Sequence, residues 1–248
     1  NIGLTADFWD GRINLTFDYY RKTTDDVLID MSVPPSVGES TVRNNLGQMR
    51  NVGFEFDVTA LLLSTKDWRF SIKVNGDHNK NEILGISNSL AKYNEEANAD
   101  GSSSPKVLYK EGESTTAIYA VRSAGINPAT GEEVFIKRNG AWTLEYDPND
   151  KVVVGDENAW LKGAFFPMLS YRGWQINLSF EYNFGGQIYN TTRADNVENV
   201  NPRHNVDRRA FEERWKNVND VPPYLDIANA DSRTSYHTSR FVEDDNNV

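Results

Sequence analysis

At 248 residues the chain is long enough for one large domain or two small ones, and its 38% hydrophobic content, with 12% aromatics, is small in number but heavy in rings. A net charge of -10 argues against nucleic acid as a partner, and the absence of cysteine removes a disulfide scaffold, a thiolate zinc site and a Cys nucleophile together. No apolar run reaches the roughly 18 residues of a transmembrane helix, whereas the strands of a transmembrane β-barrel never form such a run.

The dominant pattern in chain order is period two. Ile2, Leu4, Ala6 and Phe8 alternate with small or polar residues, and Ile13, Leu15, Phe17 and Tyr19 alternate with Asn14, Thr16 and Asp18. The same pattern gives strands over 51–60 (Val52, Phe54, Phe56, Val58, Ala60), 68–77 (Trp68, Phe70, Ile72, Val74) and 174–184 (Trp174 through Phe184). A further strand over 163–171 is less clean, because Pro167 cannot donate to a ladder and leaves the register open. The charged stretch Asp207 to Lys216 reads as a short helix within a loop.

The connections alternate. Asp10-Gly11 has the composition of a type I′ hairpin turn, Ser64-Thr65-Lys66-Asp67 is short, and Arg172-Gly173 is short again. Between them fall long polar stretches at about 21–50, 79–162 and 189–239. Compact soluble domains seldom have connections of that length, whereas outer-membrane barrels combine short periplasmic turns with long extracellular loops. Phe8, Trp9, Trp68, Tyr171 and Trp174 rim all three short turns, where an interfacial aromatic girdle lies. The expected fold is therefore all-β: an antiparallel, up-and-down transmembrane β-barrel segment of about six strands plus the start of another. The smallest closed barrels need eight strands, so this is expected to be part of a larger one. Asn1-Ile2-Gly3-Leu4 has no signal-peptide features, which leaves either a cytosolic protein or an N-terminus that lies elsewhere.

Several stretches then resemble one family, the SusC/RagA group of TonB-dependent outer-membrane transporters of Bacteroidetes-type bacteria. They are Asp18-Tyr19-Tyr20-Arg21-Lys22-Thr23-Thr24-Asp25-Asp26-Val27-Leu28, then Asn45-Leu46-Gly47-Gln48-Met49-Arg50-Asn51-Val52-Gly53-Phe54-Glu55, and Asn79-Lys80-Asn81-Glu82-Ile83. Ala124-Gly125-Ile126-Asn127-Pro128-Ala129-Thr130-Gly131, Ser170-Tyr171-Arg172-Gly173-Trp174 and Ser239-Arg240-Phe241-Val242-Glu243-Asp244 complete the set. Asn127 stands where the family usually has Asp, and Phe166-Pro167-Met168 departs from its Gly-rich strand. Each motif is short, and their fixed order carries the match. The resemblance implies a barrel of about 22 strands, of which 1–248 would be a partial C-terminal-half domain without the plug and the final strands. It implies outer-membrane location, TonB-dependent uptake of an oligosaccharide or peptide substrate, a SusD-like lipoprotein partner, and contact with the TonB complex through the plug. The rival reading is a soluble, secreted all-β carbohydrate-binding module.

No enzyme is expected, since G-x-S-x-G, P-loop, G-x-G-x-x-G and H-E-x-x-H motifs are all absent. No cofactor, metal or catalytic residue is assigned, and substrate-binding residues stay unassigned. His78, His204 and His237 read as surface loop histidines, and Asp147, Asp150, Asp156 and Glu157 as a solvated acidic loop, calcium ligation being the alternative that the lack of EF-hand spacing disfavours. The polar strand face carries Asp7, Asp18, Glu55, Asp57, Asp77 and Glu181 against Arg12, Arg69 and Lys73, an acidic excess that suits a lumen wall or a plug contact. Loop aromatics Tyr109, Tyr119, Trp142, Tyr146, Tyr189, Trp215 and Tyr224 sit among Asn and Asp, a mixture that suits carbohydrate but equally loop packing or a protein partner.

Overall fold

The computed structural model describes residues 1–32, 41–88, 90–91, 93–94, 103, 105, 108–201, 203–226 and 236–248. One antiparallel meander dominates it. Strands β1 (Ile2–Phe8), β2 (Ile13–Ser32), β3 (Thr41–Ser64) and β4 (Trp68–Ile86) pair in chain order. Five short strands follow in the long connection: β5 (Ala117–Ala120), β6 (Arg122–Ile126), β7 (Glu133–Ile136), β8 (Trp142–Thr143) and β9 (Val152–Asp156). The main sheet then resumes with β10 (Leu161–Tyr171), β11 (Trp174–Asn177), β12 (Phe180–Tyr189) and β13 (Val242–Asn247). The order across it is β1-β2-β3-β4-β10-β12-β13, with β11 beside β10, and the sheet stays open at β1 and β13. Those terminal backbone edges need partners, as any sheet edge in lipid does.

Register confirms the two faces. Directly opposed residues share a face, and one rung runs Leu4, Phe17, Phe56, Gly76, Gly163, Tyr182. The next outward rung pairs Leu15 with Val58, Val74, Phe165 and Phe180. Alternating rungs are polar: Asp18, Glu55, Asp77, Lys162 and Asn183 on one, Thr16, Asp57, Asn75 and Glu181 on another. Gly163 is required where the rungs close up, since a Cβ there would lie 2.1 Å from the Asn75 carbonyl and 2.7 Å from the Tyr182 hydroxyl.

Aromatic rows bound the apolar face. At the short-turn end Trp68 packs on Tyr171 with ring centroids 4.1 Å apart, and Trp174 is 79% exposed. At the other end Phe54 stacks on His78 at 5.2 Å, and His78 meets Trp160 at 5.6 Å. The strand climbs about ten residues between Trp68 and His78, which at the usual rise and a barrel tilt is about 25 Å, the height of a lipid-facing band. The turn at Arg172-Gly173 is a two-residue one between the paired Tyr171 and Trp174, with the left-handed φ values of 43° and 89° that a type I′ turn needs. At the first turn the ladder ends at Phe8 and Ile13, and Trp9, Asp10 and Gly11 are all left-handed, with φ of 52°, 56° and 78°, so the loop there is longer than the two residues expected.

Four other expectations need correction. The stretch 21–50 is not mostly loop: β2 and β3 remain paired to Ser32 and Thr41, with bulges near Thr24 and Val27, and 33–40 lie outside the described residues. Likewise β4 runs on to Ile86. Above the lipid no apolar face is demanded, so period two vanishes while the backbone ladder continues. Strand 163–171 is regular through Pro167, which pairs Ile72 on β4. Its missing N–H falls on the other side, so the single expected strand 174–184 breaks into β11 and β12 opposite it. There Leu178 donates to the Pro167 carbonyl at 3.1 Å but receives nothing back. The helix expected over 207–216 shrinks to Arg209–Glu212.

Candidate functional site: an acidic wall below a polar cavity

The inward face of β2–β4 is an acidic trough. Thr16, Asp18, Glu55, Asp57, Asn75 and Asp77 line a depression of about 510 Å³. Lys73 pairs with Asp57 at 2.8 Å and Lys162 approaches Asp77 at 3.7 Å. Asp18, Glu55 and Glu181 have no cation partner among the described residues, so the wall keeps a negative field. Above it amides take the place of the carboxylates, with Lys22 on the Asn51–Asn81 rung. The Tyr20 hydroxyl donates to Asn79, and Asn79 and Asn81 both donate to Asn51 at 3.2 and 2.9 Å. Asn81 in turn accepts from the backbone and the hydroxyl of Thr115, tying the long β4–β10 connection to the inner face.

That tie places a second cavity, of about 590 Å³, over the wall. Tyr109, Thr115, Thr116 and Tyr119 come from the β4–β10 connection and its β5 strand, Glu157 from after β9, Tyr189 from the end of β12, and Asp195 and His237 from the β12–β13 connection. His237 Nε2 meets Asp195 Oδ1 at 2.9 Å, which orients the ring and leaves Nδ1 without a protein partner. The hydroxyls of Tyr119 and Tyr189 are likewise buried without one, on residues 1% and 9% exposed. Burial first, with Glu113 second, pushes the Tyr119 phenol up to about 12. Burial with Glu133 raises Tyr189 as well. Both phenols are therefore neutral donors at ordinary pH. A cavity of this size with three unspent polar atoms among aromatic walls suits a small polar ligand or one segment of a longer one.

A buried ionic hub holds the roof in place. Arg240 Nε and Nη2 grip both oxygens of Glu133 at 2.8 and 3.0 Å, and its Nη1 reaches Glu198 at 3.1 Å. Thr238 donates to Glu133 at 2.6 Å. Arg214 lies 3.7 Å from Glu198 and donates to the carbonyls of Val197, Glu198, Ala210 and Leu225. Phe241, wholly buried, packs beside this hub with Tyr224, Val197 and Ala210. Thus the Ser239 to Asp244 motif is structural: Ser239 accepts from the Ser123 amide, Arg240 builds the hub, and Glu243 pairs with Arg193. Asn127 similarly accepts from the Ala129 amide at 2.9 Å, fixing its turn, and Trp215 donates to the Pro128 carbonyl at 3.0 Å.

Of the loop aromatics, Tyr109, Tyr119 and Tyr189 come together at the cavity. Tyr146 stacks on Tyr236 at 4.1 Å, Tyr224 is core, and Trp142 is 73% exposed. His237 is a loop histidine, as expected, but its side chain is only 15% exposed, held by Asp195 and beside Tyr189. His78 is not a loop residue; it stands on β4 in the outer aromatic row, its Nδ1 2.5 Å from the Trp160 carbonyl. His204 is exposed, as expected. Asp147, Asp150 and Asp156 bond backbone amides of Asn149, Arg138 and Asn158, which is loop chemistry. Asp195 and His237 carried no sequence signal, because a pairing across 42 residues has no spacing rule.

The sequence profile described as "TonB dependent receptor-like, beta-barrel" matches residues 1–200. This chain belongs to the TonB-dependent receptor β-barrel family. TonB-dependent receptor P39 of Formosa agariphila is 24% identical over 96% of this chain, and TonB-dependent receptor SusC of Bacteroides thetaiotaomicron is 25% identical over 76%. The chain spans 27% of the first and 19% of the second. Among solved structures, the RagAB peptide transporter superposes with a TM-score of 0.75 at 20% identity, over 98% of this chain and 27% of the other. That likeness establishes a common fold for the TonB-dependent receptor segment and for the neighbour.

Proposed function

We propose that residues 1–248 are a stretch of wall and roof in a larger barrel that imports an oligosaccharide or an oligopeptide across the outer membrane. A plug supplied elsewhere in the parent protein couples the barrel to TonB, and a SusD-like surface lipoprotein delivers the substrate. The observation that carries this reading is the two-faced sheet. Ile2, Trp174 and Ile176 are 74%, 79% and 55% exposed on one face, while carboxylates line the other. A soluble binding module would bury that apolar face against a second layer. Exposed Trp142 and Leu144 on the roof offer apolar anchors to a protein partner such as that lipoprotein. The cavity bounded by Tyr119, Tyr189 and the His237–Asp195 pair is the point where substrate first meets this wall. Its hydroxyl and imidazole groups match sugar hydroxyls or peptide amides, not a bare hydrocarbon.

The test is binding by the full-length protein. Oligosaccharide and oligopeptide libraries are screened against the wild type, then against a Tyr189→Phe, His237→Ala double variant. Each lost hydrogen bond to a neutral partner is worth about 0.5–1.5 kcal/mol, so losing two should lower affinity for the bound class about fivefold or more. Unchanged affinity removes the cavity from the substrate path. Binding of neither class removes the import proposal.

A further inference from the structure

The outward face changes character abruptly above the upper aromatic row. Two residues beyond Tyr19, Phe54 and His78, the rung is Arg21, Val52, Lys80; the next is Thr23, Arg50, Glu82. No bulge intervenes, since the first register shifts come only beyond Thr24 and Met49, so these side chains keep the outward parity of the lipid-facing residues below. At barrel tilt the two rungs stand about 5 and 10 Å above the aromatic row, in the headgroup layer rather than in the hydrocarbon. Arg50 binds Glu82 at 2.6 Å. Arg21 and Lys80 have no anionic partner among the described residues, although both act electrostatically on Glu82. Three cations thus surround one carboxylate, on a chain whose overall charge is -10. The excess is confined to β2–β4. At the same height the inward face holds Lys22, Asn51 and Asn81.

We propose that Arg21, Arg50 and Lys80 form a binding site for a phosphorylated glycolipid headgroup of the outer leaflet. Arg21 and Lys80 flank the phosphate from strands about 10 Å apart across β3, and Arg50 closes it from above while Glu82 fixes the guanidinium. The acyl chains then lie on Phe17, Phe54 and Val74 below. Charge complementarity selects the occupant. A site open sideways into lipid, at headgroup depth and with net positive charge, meets anionic lipid before any soluble anion.

The proposal rests on the outer-membrane placement above, but its test does not stand or fall with substrate binding. Full-length protein is purified in mild detergent, loaded with lipid A, and the lipid retained per barrel is counted by native mass spectrometry. Each cation near an anionic surface contributes about a factor of five, so Arg21→Gln with Lys80→Gln should lower retention about 25-fold. Lys22→Gln, the same charge change on the inward face, should leave it unaltered. Enzymatically dephosphorylated lipid A should be retained no better by the wild type than phosphorylated lipid A is by the double variant. Inorganic phosphate should not displace the lipid. Equal retention by variant and wild type, equal retention of the two lipids, or displacement by inorganic phosphate each overturns the proposal. If the double variant fails to assemble, the two-lipid comparison on the wild type decides alone.

Discussion

Arg240→Ala removes the centre of the roof. The side chain is 9% exposed and makes four hydrogen bonds to Glu133, Glu198 and the Pro223 carbonyl. Glu198 keeps Arg214 and the Leu225 amide, so its charge stays compensated. Glu133, with 3% of its side chain exposed, keeps only the Thr238 hydroxyl among the described residues and becomes a buried carboxylate with no cation among them. Breaking one side of a buried pair costs about 3–5 kcal/mol, mostly through the abandoned charge. The loss is local, because the roof opens without unzipping the membrane strands. Hydrogen exchange on the full-length protein reads it directly. The amides of Asn127, Ser239 and Phe241, bonded to Glu132, Val121 and Thr238, should lose at least about a hundredfold in protection. Amides of Val58 and Val74 in the membrane ladder should not change. Arg240→Met with Glu133→Leu should restore most of the loss, since it removes both charges. Less than fivefold loss in the single variant, or no recovery in the double, would refute the claim that this ion pair organises the roof.

Other outcomes follow from the two faces and the loop contacts. Phe180→Arg puts a charge on the lipid face beside Phe165, whose ring centroid lies 4.8 Å away, and should cost about 2–4 kcal/mol and sharply reduce assembled barrel in the outer membrane. Glu181→Ala, facing inward, should assemble normally; equal yields of the two variants would mean that the faces are misassigned. Gly163→Val should block assembly, because its side chain would meet the Asn75 carbonyl, and normal heat-modifiable migration on gels would contradict that close approach. The Glu243 carboxyl is held below its usual range first by the Asn190 amide and then by Arg193. A depressed carboxyl pKa stabilises the fold above the unfolded value near 4.5 and loses that contribution as pH falls through the folded value. Proteolysis of the 190–200 segment should therefore rise between pH 5 and pH 3, and should do so less in Glu243→Gln.

What was legible in the sequence is what lipid demands. Phe17, Phe56, Val74 and Phe180 lie on one face because hydrocarbon on one side and water on the other impose period two, and period two needs no tertiary knowledge. Asp10-Gly11 and Arg172-Gly173 were legible because a tight hairpin needs left-handed residues. The continuation of β2 and β3 through Asp25 and Asn45 was not legible. With water on both faces those strands are held by backbone pairing, which leaves no mark on side-chain type. Pro167 misled in one direction only: its missing donor faces β11 and β12, while β4 pairs with it normally. Of the cavity, Tyr119 and Tyr189 stood out as loop aromatics, but His237 did not, since its meaning comes from Asp195. Arg240 could be read only as part of a motif, and Glu133, 107 residues away, reads from the sequence as a solvated carboxylate, whereas the fold buries it against Arg240.

The central claim is that these strands cross a membrane with the short turns on the periplasmic side and the long connections outside. Residues 1–248 contain no cysteine, so single Cys substitutions report cleanly once any cysteine elsewhere in the parent protein is replaced by Ser. Intact cells expressing the full-length protein are treated with a membrane-impermeant thiol reagent. The account predicts that Ser103→Cys and Asn139→Cys label, while Gly11→Cys and Gly173→Cys label only after the outer membrane is permeabilised. Labelling of the turn sites as readily as the loop sites in intact cells would contradict it.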